Sequence, residues 1–403
     1  MKFGLFYELQ LPKPLDSDQW HPDDERRLVM ETLEQIEFAD KLGFDYVFEV
    51  EHDFLEEYAH SSAPEVVLAA ASQRTRHIRL GHGIIHMPPV FNHPIRVAER
   101  IATLDLVSNG RVEFGTGEGG DTENTGFGID VSRKKAMWEE ATRESLKMMV
   151  QVPYEGCDGE FIKVPVRNVI PKPLQKPHPP VWVAASRRET MFVAARFGMG
   201  ALGFGFETPE EAQERIERYW ELIREECTPI GYAINPAVTA LGSLMCCPTN
   251  EAAVAKGLSG AQMFGFLLGR GQRNYGRDHF HRQFKALSEE GRMSQYAQRR
   301  GISIVDEEPE DESARALYRA SRRGGFIGAP DFIRDTLRRY EAAHIDLVLF
   351  IAQSGDRKHE DIMPSLELFA REVMPEFQER HEKHQQWRAQ QLEEVPHPVN
   401  STI

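Results

Sequence analysis

Eight short apolar runs, most of them followed by a stretch with helical spacing, limit what this chain can fold into more than any other feature. They are KFGLFY (2–7), FDYVFEV (44–50), IRLGHGIIHM (78–87), RVEFGTGEGG (111–120), PVWVAA (180–185), GALGFGF (200–206), AVTALGSLMC (237–246) and IDLVLFIA (345–352). β-Branched and aromatic side chains dominate them, as suits buried strands. Between the runs, sets such as Val29, Leu33 and Ile36, or Val97, Ile101 and Leu104, mark one face of a helix, and Gly43 and Asn109-Gly110 end those helices. Strands alternating with helices pair in parallel through right-handed crossovers. Eight of them predict an α/β fold, a closed (β/α)8 TIM barrel, which in its plain form needs ~250 residues. The chain has 403. We therefore expect one barrel over 1–377 with insertions at about 151–179 and 251–326. A polar C-terminal extension, 378–403, is expected to begin as a helix and fray.

Charge and cysteine content narrow the function. A net charge of −15 argues against nucleic acid or an anionic membrane as partner, because phosphates are bound by basic surfaces. No window approaches the ~20 apolar residues of a membrane span. The opening MKFGLFYELQLPKP lacks the apolar core and cleavage site of a signal peptide. Cys157, Cys227, Cys246 and Cys247 form no CxxC pair, which fits a reduced, cytoplasmic protein.

In a (β/α)8 barrel, function sits at the C-terminal ends of the strands. Here those ends are polar. Glu49, Glu51 and His52 close the second run, and His82 and His86 the third. Thr116, Gly117 and Glu118 close the fourth, and Ser186 follows the fifth. His52, His82, His86 and His93 with Asp105 raise one alternative, a metal-dependent barrel hydrolase. Their spacing is not diagnostic, and no HxH pair ends the first run.

Four segments resemble one family in order and spacing. EVEHDF (49–54) resembles the EHHF box of the bacterial luciferase-like flavin monooxygenases. SNGRVEFGTGEG (108–119) resembles their fourth-strand signature, HPPVWVAASRRET (178–190) their fifth-strand phosphate segment, and SLELFAREVMPEF (365–377) their closing helix. The resemblance implies a luciferase-like barrel that uses reduced FMN, supplied by a separate flavin reductase. The flavin would activate O2 as a flavin hydroperoxide and oxygenate a small, mostly apolar organic substrate. It also implies a homodimer and no metal. A reductase or dehydrogenase using a deazaflavin coenzyme on the same barrel is the nearest alternative.

The resemblance also assigns roles. His52 becomes the general acid or base beside the flavin, a task suited to a neutral imidazole, with Glu49 and Glu51 orienting it. Gly83 and Ile84 carry a cis peptide under the flavin ring, and Thr116 and Gly117 line the cofactor. Glu118 stands where luciferase has a phosphate-binding arginine. The phosphate is therefore expected at the helix start after the fifth strand, on Ser186, Arg187 and Arg188. Glu51, His86, Phe204, Phe206 and the 251–326 insertion are expected to shape the substrate pocket. Asp53 replaces the second histidine of the box.

Overall fold

The computed structural model of the protein describes residues 1–185, 187–203, 209–270, 278–289 and 325–403. Strand β1 (Lys2–Tyr7) is buried along almost its whole length, and its side chains alternate between two environments. Phe3, Leu5 and Tyr7 join the cluster that contains helix residues Leu33, Ile36, Leu68 and Ile101. Phe6 joins a second cluster with Tyr46, Phe48, Trp182, Leu202, Leu241, Leu349 and Ile351, the interior of the barrel. The strand's two-residue period thus separates an outer layer from a central one.

The other barrel strands are β2 (Tyr46–Glu49), β3 (Arg79–His82), β4 (Val112–Gly117), β5 (Val181–Ala185), β6 (Gly200–Gly203), β7 (Thr239–Cys246) and β8 (Leu347–Ile351). All pair in parallel. Gly4 aligns with Tyr46, Tyr46 with Arg79, Leu80 with Val112, Phe114 with Val181, and Trp182 with Gly200. On the other side Lys2 aligns with Leu347, and Leu347 with Thr239. A bridge between Ala201 and Val238 closes the barrel. Beside it, the Ala201 N–H donates to the Ala237 carbonyl at 2.8 Å. Gly81 has to lack a side chain, since a Cβ there would lie 2.3 Å from the Phe48 ring.

The insertions take definite shapes. Residues 151–179 carry a small antiparallel ribbon, Cys157–Asp158 with Lys163–Val164. Phe326–Gly328 adds a short parallel strand to the end of β7. Helices Asn250–Arg270 and Phe280–Glu289 send Met263, Phe264, Leu267, Phe280 and Phe284 into the same apolar cluster as the barrel interior. The insertion thus packs on the barrel interior where it is described; of the stretch expected to shape an apolar chamber, 271–277 and 290–324 lie outside the described residues.

The C-terminal extension does not fray. Helix His381–Leu392 packs on the barrel, with Arg388 and His384 both bonded to buried Asp346 at 2.6 and 2.8 Å. The segment beyond it runs under the N-terminal ends of the strands. Asn400 N–H donates to the Ile234 carbonyl at 3.0 Å, and Ile403 enters the interior cluster. A polar composition hid this because the tail is held mainly by hydrogen bonds and ion pairs.

Candidate active site

The same alternation decides which polar groups at the strand ends reach the barrel mouth. Val47 packs in the outer layer, so Glu49, two residues on, points to the helices as well. It accepts from the Ser61 hydroxyl at 2.8 Å, and burial pushes its pKa up to about 8. His82 lies beside Glu49 in register, faces the same layer, and is pushed down to about 4 by burial. Neither orients His52. Glu51 is also occupied elsewhere: it accepts from the His86 N–H at 2.6 Å and from Asn92 Nδ2 at 3.0 Å. Burial raises its pKa to about 7. It braces the exit of β3 instead of lining the mouth.

His52 is held by two acids that lie outside the recognised motifs. Its Nδ1 lies 2.7 Å from Glu123 Oε1, and its Nε2 lies 3.4 Å from Glu8 Oε2. Glu8 follows β1 on the inward parity of Phe6, is fully buried, and accepts from the Tyr58 hydroxyl at 2.9 Å. Glu123 sits in the short helix Asp121–Gly126 after the glycine-rich exit of β4. Its second oxygen accepts from the Gly120 N–H at 2.9 Å. Gly119 makes this turn with φ of +75°, a conformation that suits glycine.

The electrostatics follow from this cage. Burial alone would lower the pKa of His52, but the hydrogen-bonded Glu123 carboxylate, with Glu8 and Asp53, pushes it up to about 9. Burial would raise Glu123, but His52 holds it down at about 2. The expected neutral imidazole is therefore an imidazolium paired with a carboxylate. His86 stands next to this pair, with its Nε2 3.8 Å from Glu123 Oε2. Burial pushes it down to about 4, so it is neutral, and among the described residues its Nδ1 has no hydrogen-bond partner.

The remaining expected residues fall into four groups. Gly83, Ile84 and Gly117 do meet: a Cβ on Gly83 would lie 2.8 Å from Phe6, and one on Gly117 would lie 2.6 Å from the Ile84 side chain. Ile84 packs with Phe6 and Val50 in the interior apolar cluster, at the C-terminal ends of the first strands. The Gly83–Ile84 bond is trans, in contrast to expectation; the cis bonds among the described residues all precede proline. Thr116 faces outward, donating to the Trp182 carbonyl at 3.2 Å and accepting from Trp138 Nε1 at 3.1 Å, so its hydroxyl ties β4 to β5 and a helix. Ser186, Phe204 and Phe206 lie outside the described residues.

The two arginines part company. Arg187 is the N-cap of helix Arg188–Arg196, and its Nη2 is 3.5 Å from Glu118 Oε1 at the β4 exit. Arg188 turns the other way, to Glu214 at 3.0 Å. Lys134, which the sequence did not single out, joins Arg187. Its Nζ is 3.7 Å from the same Glu118 oxygen and bonds to the Gly119 carbonyl at 2.9 Å.

The hydrolase ligand set does not assemble as expected. His93 accepts from the Ile95 N–H at the start of its helix, and Asp105 accepts from Gln175 at the far end of β4. Of that set, only His52 and His86 meet, and Glu123 joins them with donor atoms within 4.8 Å.

Comparison with known proteins identifies the family. The profile of the luciferase-like monooxygenases matches residues 1–347. The oxygenase component of the flavin-dependent trigonelline monooxygenase of Acinetobacter baylyi is 27% identical over 389 residues, covering 94% of this chain and 96% of the relative. The oxygenating constituent of 3,6-diketocamphane monooxygenase from Pseudomonas putida was solved in complex with FMN. It superposes with a TM-score of 0.68 at 19% identity, covering 93% of this chain and 98% of that one. The coenzyme F420 dependent tetrahydromethanopterin reductase of Methanopyrus kandleri superposes with a TM-score of 0.63 at 19% identity, covering 93% and 99%. Both structures share the fold. The chain belongs to the luciferase-like monooxygenase family and is an oxidoreductase. No helix among the described residues is long and apolar enough to cross a membrane.

Proposed function

We propose that the protein is the oxygenase component of a two-component monooxygenase that uses reduced FMN and O2 to oxygenate a small organic substrate. The observation that carries this reading is His52 paired to Glu123 at the strand C-termini, the end where Phe6, Val50 and Ile84 cluster. The residues present suit FMN. Phe6, Ile84 and Val50 offer apolar surface, Gly83 and Gly117 add no side chain beside Phe6 and Ile84, and Arg187 and Lys134 stand at the rim for a phosphate. Bound reduced flavin supplies the electrons that activate O2.

This chain supplies charge and protons. The imidazolium of His52 stabilises negative charge that develops beside it and donates a proton from the ring nitrogen turned toward Glu8. Glu123 fixes the ring and favours its return to the charged form, with the replacement proton taken from solvent between turnovers. The apolar cover from Met263, Phe264 and Leu267 keeps water from the reacting atoms. At the rim, Glu118 holds Arg187 and Lys134 until a phosphate dianion displaces it. The relative that is an oxygenase component supports delivery of reduced flavin by a separate reductase. The family resemblance supports a homodimer, and four free cysteines support a cytoplasmic location.

The test is anaerobic titration with reduced FMN and with a reduced deazaflavin, followed by O2. Tighter binding of FMN, and a return of oxidised-flavin absorbance delayed relative to free flavin, are expected. Preference for the deazaflavin, with no delay, would establish the reductase alternative instead.

A further inference from the structure

Asp53 departs from the EHHF pattern and, beyond adding to the negative charge that raises the pKa of His52, has no part in the arrangement above. It lies between His52 and Phe54, is half-buried, and among the described residues its carboxylate has no hydrogen-bond or ion-pair partner. Lys134 is engaged with Gly119, Asp121 and Glu118, and Arg187 with Glu118. The groups that act on Asp53 are Glu123, which repels its charge, and His52, which is already paired. A half-buried carboxylate beside a like charge is costly unless a cation covers it.

An arc of aromatic rings starts and ends at the residues on either side of this acid. His52 and His86 have ring centres 6.0 Å apart, His86 and Phe91 4.6 Å, Phe91 and Phe127 4.0 Å, and Phe127 and Phe54 5.4 Å. The arc closes through the chain at His52-Asp53-Phe54. Its rim is open: Phe54 is 53% and Phe127 37% exposed. The backbone is bent to present it. Phe54 and Glu56 have φ of +67° and +50°, a region bulky side chains rarely enter. Gly126 makes room, since a Cβ there would lie 2.5 Å from the Phe54 ring.

We propose that Asp53, with Phe54, Phe91 and Phe127, selects a substrate whose planar ring carries a positive charge, as an N-alkylated pyridinium does. The ring lies against the phenylalanine faces, whose electron-rich centres attract cations, and its charge lies against Asp53. This rests on the reading of the strand-end site as the oxygenation site and names its substrate class. It replaces the expected mostly apolar substrate with a charged one.

Calorimetry on the FMN-loaded protein tests it with N-methylnicotinate and its uncharged-ring isostere 3-methylbenzoate. The native protein is expected to bind the pyridinium about tenfold tighter or better, the scale of one well-placed charge. Asp53→Asn and Asp53→His should abolish the preference and Asp53→Glu should keep it. Phe127→Ala should weaken both probes. Equal affinities in the native protein, no binding of the pyridinium, or an undiminished preference in a folded Asp53→Asn variant would each overturn the proposal. The O2 experiment on the same preparations separates the two readings. Preference for the pyridinium without delayed flavin oxidation refutes the oxygenation reading alone. Delayed oxidation without the preference refutes the substrate class alone.

Discussion

At the C-terminal mouth of the barrel, charged groups are close together and incompletely matched. His52 serves two carboxylates, and among the described residues Glu8 Oε2 and His86 Nδ1 are buried without a hydrogen-bond partner and Asp53 has no counter-ion. At the opposite end, equally buried charges are fully matched. Glu113 accepts from Trp182 Nε1 and from the Thr402 hydroxyl, each at 2.6 Å, and pairs with Arg79. The Tyr46 hydroxyl donates to Thr402 Oγ1 at 3.0 Å, and Lys2 Nζ donates to the Thr402 carbonyl at 2.8 Å. Both ends sit on the same strands, so strand geometry does not explain the difference. A polar group that holds a fold together is satisfied by the fold. One that waits for a ligand is left partly unsatisfied, and the rest of the structure bears the cost.

The largest effect on the mouth should come from His52→Ala. Turnover with saturating reduced FMN is expected to fall ~10²–10⁴-fold, the usual worth of a positioned acid or base, while flavin binding and the folded state persist. Unchanged turnover would remove His52 from the chemistry.

At the sealed end, Glu113→Ala should do the reverse. It leaves the Arg79 charge and the Trp182 N–H buried without their partner, which costs about 3–5 kcal/mol of stability, measured by urea unfolding. Flavin affinity of the molecules that remain folded should hardly change. If affinity fell while stability held, the division between the two ends would be wrong.

Arg187 and Arg188 sharpen the comparison within the mouth. Arg187→Ala should weaken FMN roughly tenfold relative to riboflavin, the loss of one charge-assisted hydrogen bond. Arg188→Ala should leave that ratio unchanged, because its side chain is turned to Glu214. Equal losses of FMN and riboflavin in Arg187→Ala would send the search for a phosphate partner elsewhere.

The smallest effect concerns pH. The pKa of His52 is raised from 6.5 to about 9 in the folded state, so its contribution is complete below 6.5 and is lost as pH rises through 9. That of Glu123 is lowered from 4.5 to about 2, so its contribution is complete above 4.5 and is lost as pH falls toward 2. Glu123→Gln should flatten the decline in stability between pH 6.5 and 9 by about 1 kcal/mol. Parallel stability curves for the native protein and the variant would show that the pair does not set the charge of His52.

Much of this was legible in the sequence because strands and helices announce themselves locally. The eight runs, the helical spacings and the glycine stops belong to windows of a few residues, and they determined the barrel, the order of its strands and the end on which polar groups gather. His52 was legible because the four boxes are also local. Whether a polar residue at a strand end faces the mouth or the helices depends on parity, and parity is read from the two packed clusters. That is why Glu49 and Thr116 were expected at the site and Glu8 was not. Glu123 lies 71 positions from the histidine it charges, and Thr402 lies 289 from Glu113. Such pairs exist only once the barrel has closed and brought its ends together. The residue types and their local spacing determined the barrel and the candidate imidazole; the charge on that imidazole, its acidic cage and the sealed far end were decided by tertiary structure, because electrostatic pairing depends on distance in space and leaves no period in the chain.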